Sequence, residues 1–298
     1  MGSGGRRTLD YGPQACRSLL SLLSLLSLLS PVLSPDALAA LKPRLDGLAA
    51  QYERPAFVAD DPILFPRSFD EPGDREVIGL FAALLAWGRR SIVLASLERL
   101  LDRMDHRPLR FVLDFDAERD GPRLAGFKHR TFQPADAVAL MLALKATLER
   151  YGSIEGVVAA HLPEDAPDIG SGIQGLSDTL LTIVPGTPAR VAKHLARPST
   201  GSACKRLAMY ARWMTRPGPV DLGVWTRVRP DQLVLPLDVH TGRQARKLGL
   251  LTRPTDDWRA VMELTDACRH LDPADPARYD FALFGLGAYG GESLKGED

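Results

Sequence analysis

The chain has 298 residues and is 45% hydrophobic, which is enough apolar material for the core of one large domain or two modest ones. Lysine and arginine (37) balance aspartate and glutamate (37), so the net charge of zero favours no class of partner. Three cysteines at unrelated spacings exclude a four-cysteine zinc ribbon or iron–sulfur cluster built by this chain alone, and they are typical of a reducing, cytoplasmic compartment.

Residues 1–34 differ from the rest of the chain. A Ser-Leu-Leu repeat from Ser18 to Ser30 follows three arginines, which is compatible with the hydrophobic region of a signal peptide. It is also compatible with a low-complexity tract, or a mis-assigned start, ahead of the true domain. The repeat is too short and too interrupted by serine to span a membrane, and we expect no membrane partner. We favour the low-complexity tract and expect the folded domain to occupy residues 35–298.

From residue 35 onward, apolar residues recur at helical spacing almost to the end of the chain. The predicted helices are one capped by Ser34 or Asp36, then Val77–Trp87, Ser91–Leu101, Pro134–Tyr151, Ile154–His161, Leu176–Ile183, Ser202–Met214, a helix after Asp238, Trp258–Leu271 and Pro276–Leu286. Alternating β-branched runs, hairpin turns and a fixed internal repeat are all missing from the sequence. The sequence therefore predicts an all-α protein of about ten helices.

Basic residues concentrate in one segment of this neutral chain. Between Arg190 and Arg259 there are 14 lysines and arginines against five aspartates. Such a segment indicates an anionic partner, although a solvated helical face has the same composition.

Within this segment, a turn of small residues from Pro198 to Ala203 leads directly into a predicted helix. The free N–H groups and the positive end of such a helix form a ready site for a phosphate. Lys205 falls in the first turn, where we expect the helix dipole to lower its pKa toward that of a usable nucleophile. The alternative is a surface lysine that binds phosphate or water.

Asp238 follows the apolar residues Leu235, Pro236 and Leu237 and precedes a basic helix. One interpretation is a helix N-cap. The other is a carboxylate that deprotonates a nucleophile or stabilises a developing cation. Asp238 and His240 could also be considered as metal ligands, but two residues without a histidine or cysteine cluster nearby predict no metal site.

Two of these segments resemble a known superfamily. Pro236-Leu237-Asp238-Val239-His240 is similar to the catalytic-aspartate segment of the helix–hairpin–helix DNA glycosylases of the 8-oxoguanine glycosylase and endonuclease III branches. Gly201-Ser202-Ala203-Cys204-Lys205 resembles their Gly-x-Gly-x-Lys hairpin, with Ala203 in place of the second glycine. After about Pro55 the chain also resembles an uncharacterised bacterial family of the DUF2400 type, through stretches such as 83–90 and 279–287.

The glycosylase resemblance implies a fold of two helical lobes with a DNA-binding cleft between them. It implies that Lys205 attacks C1′ of a flipped nucleoside, that Asp238 activates the lysine, and that the imine permits an AP lyase step without metal or cofactor. It further implies DNA contacts by Gly201, Ser202, Arg206, His240 and Arg243. Lys205 and Asp238 are 33 residues apart, so the stretch around Pro217 to Pro230 must fold away from them.

Two functions from different classes remain open. One is a base-excision glycosylase/AP lyase, and the other is a non-catalytic helix–hairpin–helix protein that binds nucleic acid. A separation of several ångströms between the Lys205 amine and the Asp238 carboxylate would favour the enzyme. Four aromatic residues are candidates to stack on a flipped base or to fill the core: Trp87, Trp225, Phe281 and Phe284. The lesion and the oligomeric state are not determined by the sequence.

Overall fold

The computed structural model of the protein describes residues 33–290, so the prediction for the Ser-Leu-Leu tract lies outside the described residues. Within this range the chain forms 13 α-helices joined by loops and short 3-10 helices, and its only β structure is three isolated bridges. The all-α prediction is confirmed. The division into two lobes with a DNA cleft stays a prediction. No helix in this range is long and apolar enough to cross a membrane.

The α-helices are α1 (Pro35–Tyr52), α2 (Leu64–Arg67), α3 (Pro72–Leu85), α4 (Arg90–Arg103), α5 (Pro108–Asp114), α6 (Ala117–Leu124), α7 (Pro134–Tyr151), α8 (Ile154–Ala160), α9 (Gly170–Thr182), α10 (Lys205–Thr215), α11 (Val239–Lys247), α12 (Trp258–Leu271) and α13 (Tyr279–Tyr289). A 3-10 helix at Pro55–Asp60 connects α1 to α2.

Helix ends follow the capping residues. The Ser34 hydroxyl accepts a hydrogen bond from the backbone N–H of Ala37 (3.2 Å) and so begins α1, as predicted. Helices α7 and α12 have the predicted bounds. The sequence analysis missed α2, α5 and α6, which have only four, seven and eight residues and therefore show little periodicity.

Helix α9 begins at Gly170, six residues before the predicted start at Leu176. Glycine is a poor helix former, so its sequence signal was weak. In the structure the glycines allow close packing. A Cβ atom on Gly172 would lie 2.8 Å from a side-chain carbon of Val158, and one on Gly175 would overlap the ring of His161. Helix α9 can therefore approach α8 closely.

Two further glycine contacts bring together the helices that form the site. A Cβ atom on Gly285 of α13 would overlap the buried ring of Tyr52 on α1, and one on Gly79 of α3 would lie 2.6 Å from Met214 Cε on α10. Helix α13 packs on both α1 and α11, and α10 packs on α3. An ion pair between Arg212 and Asp280 joins α10 to α13, so α10, α11 and α13 meet in one region.

The segment between α10 and α11 folds back along α10. Its backbone N–H groups at Leu222 and Trp225 donate to the carbonyls of Trp213 and Met214, both at 2.8 Å. The Trp225 indole also donates to the buried carboxylate of Glu76 (2.6 Å). Residues 233–237 then run through the core to the start of α11. The 33-residue interval therefore does not separate Lys205 from Asp238.

Candidate functional site

The turn before α10 fixes the position of Lys205. Gly201 has φ of +78° and Cys204 has φ of +49°, so the chain makes two left-handed residues before the helix begins at Lys205. The Gly201 carbonyl accepts from Trp258 N (3.0 Å), which ties the turn to α12. Cys204 is buried, and burial raises the pKa of its thiol to about 12, so this cysteine is not a nucleophile at neutral pH.

Asp238 uses its two carboxylate oxygens differently. Oδ1 accepts hydrogen bonds from the backbone N–H groups of His240 (2.9 Å) and Thr241 (3.0 Å) and caps α11. Oδ2 lies 3.8 Å from Nζ of Lys205. Because the two cap hydrogen bonds fix the Asp238 side chain, they also hold Oδ2 toward the amine of Lys205.

Lys205 and Asp238 form an ion pair at the surface of the protein. Their side chains are 30% and 32% exposed, and Nζ of Lys205 also lies 3.4 Å from Sδ of Met209. A half-exposed ion pair at 3.8 Å contributes only about 0–1 kcal/mol to folding, so stability alone gives little reason for the pair. The amine remains accessible to a reactant from outside.

A pocket extends inward from this pair. Its walls include the rings of Phe57, Phe281 and Phe284, with Phe57 in edge-on contact with each of the other two at centroid distances of 5.6 and 5.5 Å. The cavity has a volume of about 40 Å³. That is room for about one water molecule, so a planar base could enter only after an aromatic side chain moves.

Two carboxyl groups missed by the sequence analysis also line this pocket, Asp61 and Asp280. Asp61 belongs to the Pro- and Asp-rich loop after α1, and burial raises the pKa of its carboxyl above the usual value. Asp280 is on α13, one residue before Phe281, in a stretch noted above only for its family resemblance. A buried acid in an apolar helix was the available signal for Asp280.

Asp280 belongs to a buried ion network. Its Oδ2 accepts from Arg212 (2.5 Å), whose Nε lies 3.3 Å from Oδ1 of Asp221. Asp221 also contacts Arg216 (2.5 Å), which in turn binds Glu53 and Asp275. Burial outweighs the attraction of Arg212 and raises the pKa of Asp280 to about 6.

The residues predicted to contact DNA divide into two groups. Gly201, His240 and Arg243 are exposed and Ser202 is half-buried, around the starts of α10 and α11. The Arg206 guanidinium instead points inward and donates to the backbone carbonyl of Leu84 at 2.5 Å. Burial lowers the pKa of Arg206, and its contacts give it a structural role in joining α10 to α3.

Most cations of the basic segment form ion pairs within the protein. Eight of its 14 cations lie within 4.0 Å of a carboxylate: Arg190, Arg197, Lys205, Arg212, Arg216, Arg229, Arg246 and Arg253. Several of the partner acids come from outside the segment, such as Asp136 and Asp178. The surplus of positive charge in the sequence therefore overstates what this region presents to solvent.

The remaining aromatic candidates differ in burial. Trp225 is 4% exposed and belongs to the core, where its ring makes an edge-to-face contact with that of Tyr210. Trp87 is half-buried beneath the guanidinium of Arg130, 4.4 Å from the ring centroid. Asp238 and His240 belong to no group of three metal-ligating side chains among residues 33–290, where the only such group is the exposed Glu98 and Asp102 of α4 with His106 in the turn after it.

The fold and site define an all-helical protein whose helix starts place a lysine and an aspartate at the mouth of an aromatic, acidic pocket. A family model described as a protein of unknown function (DUF2400) matches residues 61–289, and the chain belongs to that family. No curated protein and no solved structure gives a match to the chain. The DUF2400 resemblance is confirmed, and the glycosylase resemblance stays a prediction.

Proposed function

We propose that this protein is a DNA glycosylase with AP lyase activity that excises a damaged base through an imine on Lys205. The observation that carries this proposal is the 3.8 Å separation between Lys205 Nζ and Asp238 Oδ2 at the mouth of a pocket lined by three phenylalanines. An accessible amine next to a fixed carboxylate has the parts that nucleophilic catalysis by lysine requires.

In the proposed reaction, neutral Lys205 Nζ forms a bond to C1′ of a flipped nucleotide, and the bond from C1′ to the base breaks. Asp238 Oδ2 takes the proton that the amine loses and stabilises positive charge on the sugar. The C1′–O4′ bond then breaks, O4′ takes the proton from Asp238, and a protonated imine remains between C1′ and Lys205. The imine makes the C2′ proton acidic and permits β-elimination of the 3′ phosphate.

The surroundings of the pair supply contacts for a DNA backbone. In this proposal, the exposed Gly201 turn before α10 and the exposed side chains of His240 and Arg243 in α11 hold phosphates of the DNA backbone. Arg89 and Arg90 at the start of α4 add two exposed cations that have no ion pair among residues 33–290. Arg90 acts electrostatically on Asp61 of the pocket, as Lys205 does, which supports one common basic rim.

A base can enter the pocket only after a rearrangement. Phe57 is the wall residue most free to move, because it belongs to the short 3-10 helix Pro55–Asp60 rather than to a long helix. We propose that the flipped base displaces Phe57 and stacks between the pocket rings, which offsets part of the cost of unstacking.

Borohydride trapping tests the proposal directly. The wild-type protein is incubated with duplexes bearing an abasic site, 8-oxoguanine or other damaged bases, and borohydride reduces any imine to a stable covalent adduct. We expect an adduct with the wild type and none with Lys205→Ala. Lys247→Ala, which removes an exposed lysine of α11, is the matched control and should trap normally. The absence of an adduct on every duplex would refute the proposal.

Asp238→Asn separates the two tasks of the aspartate. The amide oxygen can still cap α11, while the second position can no longer accept a proton. We expect normal folding and a loss of about 100-fold or more in the rate of adduct formation.

The second candidate is a nucleic-acid-binding protein without catalysis, which the closed pocket and the intact ion pair favour. In that case DNA binding weakens with salt in the usual way but survives replacement of both Lys205 and Asp238. Binding without trapping, measured on the same duplexes, would decide for this candidate.

A further inference from the structure

We propose that Asp280 is the general acid of this site and donates the proton with which the excised base departs. The inference rests on the proposed function and adds a third residue to Lys205 and Asp238. It also defines the substrate class as uncharged bases, since a base that is already cationic leaves as a neutral molecule without a proton.

The first support is depth. The side chain of Asp280 is only 11% exposed, whereas those of Lys205 and Asp238 are 30% and 32% exposed. All three line the same pocket. A nucleotide whose C1′ reaches the amine at the mouth must place its base further inward, toward the carboxyl group of Asp280.

The second support is the distribution of counter-charges. Arg212 is shared between Asp280 and Asp221, so one guanidinium serves two buried carboxyl groups. Asp221 has a second cation, because its Oδ2 also contacts Arg216. A buried acid can reduce the cost of its burial by holding a proton. Of these two acids, Asp280 is the one that holds it, because Asp280 contacts one arginine and Asp221 contacts two.

The third support is the use of the two oxygens. Oδ2 of Asp280 accepts from Arg212, and Oδ1 has no hydrogen-bond partner among residues 33–290. A protonated Asp280 can keep Oδ2 on the arginine and carry its O–H on Oδ1, free to donate to a ligand in the pocket. Of the other two pocket acids, Asp238 is required to accept a proton, and Asp61 is half-buried and so lies less deep than the buried Asp280.

The proton balance of the step is complete. The C1′–N bond breaks with its electron pair on the base nitrogen, and the O–H proton of Asp280 passes to the base, which leaves neutral. Lys205 Nζ bonds to C1′ and gives a proton to Asp238. Asp280 ends as a carboxylate bound to Arg212 and recovers its proton from solvent after the base has left.

The charged groups around Asp280 come from several elements. Lys205 and Arg212 of α10 favour its ionised form, while Asp238 at the start of α11 and Asp221 in the segment between α10 and α11 oppose it. Cys268 of α12 is buried and takes no proton in this range, since both burial and the charge of Asp280 raise its thiol pKa. Excision should therefore fall as the pH rises through about 6.

The test compares two duplexes with wild type and Asp280→Asn. The first duplex carries the uncharged lesion of the trapping panel that the wild type excises fastest, and the second carries a preformed abasic site, which has no base to protonate. We expect Asp280→Asn to lower single-turnover excision about 100-fold or more and to change trapping at the abasic site by less than about threefold. Asp114→Asn, an exposed acid of α5, is the matched control.

The outcomes separate this inference from the proposed function. A wild type that forms no adduct at all refutes the function, and the inference with it. A wild type that traps abasic DNA but excises no uncharged base refutes the inference alone. Equal losses on both duplexes, which a structural role of Asp280 would produce, also refute it. So does an excision rate with the same pH profile as trapping.

Discussion

The substitution Glu76→Gln tests how the chain between α10 and α11 is fixed. The buried Glu76 carboxylate accepts three hydrogen bonds, from Ile154 N (3.1 Å), Glu155 N (2.7 Å) and the Trp225 indole (2.6 Å). Glutamine has one acceptor oxygen and one amide group. Its oxygen can keep the two donors that share Oε1, but its amide then faces the N–H of Ile154.

A buried donor left without an acceptor costs about 1–3 kcal/mol. With a urea m-value of about 3 kcal/mol/M for a protein of this size, the midpoint of unfolding should fall by about 0.3–1 M. Urea titration followed by circular dichroism measures this shift, and Glu98→Gln on the exposed face of α4 should leave the midpoint unchanged. A Glu76→Gln protein as stable as the wild type would show that this carboxylate does not organise the region.

Three further predictions concern packing, charge and pH. Gly285→Ala should lower the free energy of unfolding by about 3 kcal/mol, because its methyl group overlaps the buried tyrosine ring of α1, whereas the exposed Gly47→Ala should raise it by about 0.5–1 kcal/mol in thermal melts. Arg243→Ala should reduce the salt slope of DNA binding by about one, while Arg206→Ala should lower stability and leave the slope unchanged, as fluorescence anisotropy can measure. Because the pKa of Asp280 is raised to about 6, protonation of this residue stabilises the folded state fully below about pH 4, and the stabilisation is lost as the pH rises through about 6. Over this pH range the free energy of unfolding of the wild type should fall by at most about 3 kcal/mol relative to that of Asp280→Asn.

The parts of the fold that could be predicted from sequence are those with strong local signals. Helix α7 begins with a proline and ends at a left-handed glycine, and α12 follows the capping aspartate Asp257, so both had predictable bounds. The predicted start of α9 lay six residues after the observed one, because the glycines of its first turns serve contacts with α8. Such tertiary contacts leave no periodic signal in the sequence. The sequence marked Lys205 and Asp238 individually as a helix start and a cap. The distance between these two side chains depended on how residues 217–230 fold, which local patterns do not determine.

The acidic floor of the pocket could not be predicted in the same way. Asp61 and Asp280 are separated by more than 200 residues. Asp280 joins the site because α13 packs on α11, and Asp61 joins it because the 3-10 helix before it contacts α13 through Phe57. Charge counting also failed for the basic segment, since its pairing with acids elsewhere in the chain is a tertiary property. Local patterns therefore identified Lys205 and Asp238, and only the packing of distant helices identified what surrounds them.

The small volume of the pocket has a consequence for affinity. A site that must open before it binds has an apparent dissociation constant larger than the intrinsic one by the inverse of its open fraction. If about 1% of molecules have Phe57 displaced, a base in solution binds about 100-fold more weakly than the open pocket would allow, a difference of about 3 kcal/mol. Phe57→Ala should remove this penalty and bind free bases that the wild type ignores. Under the proposed function, a closed pocket selects nucleotides that already leave the DNA stack easily.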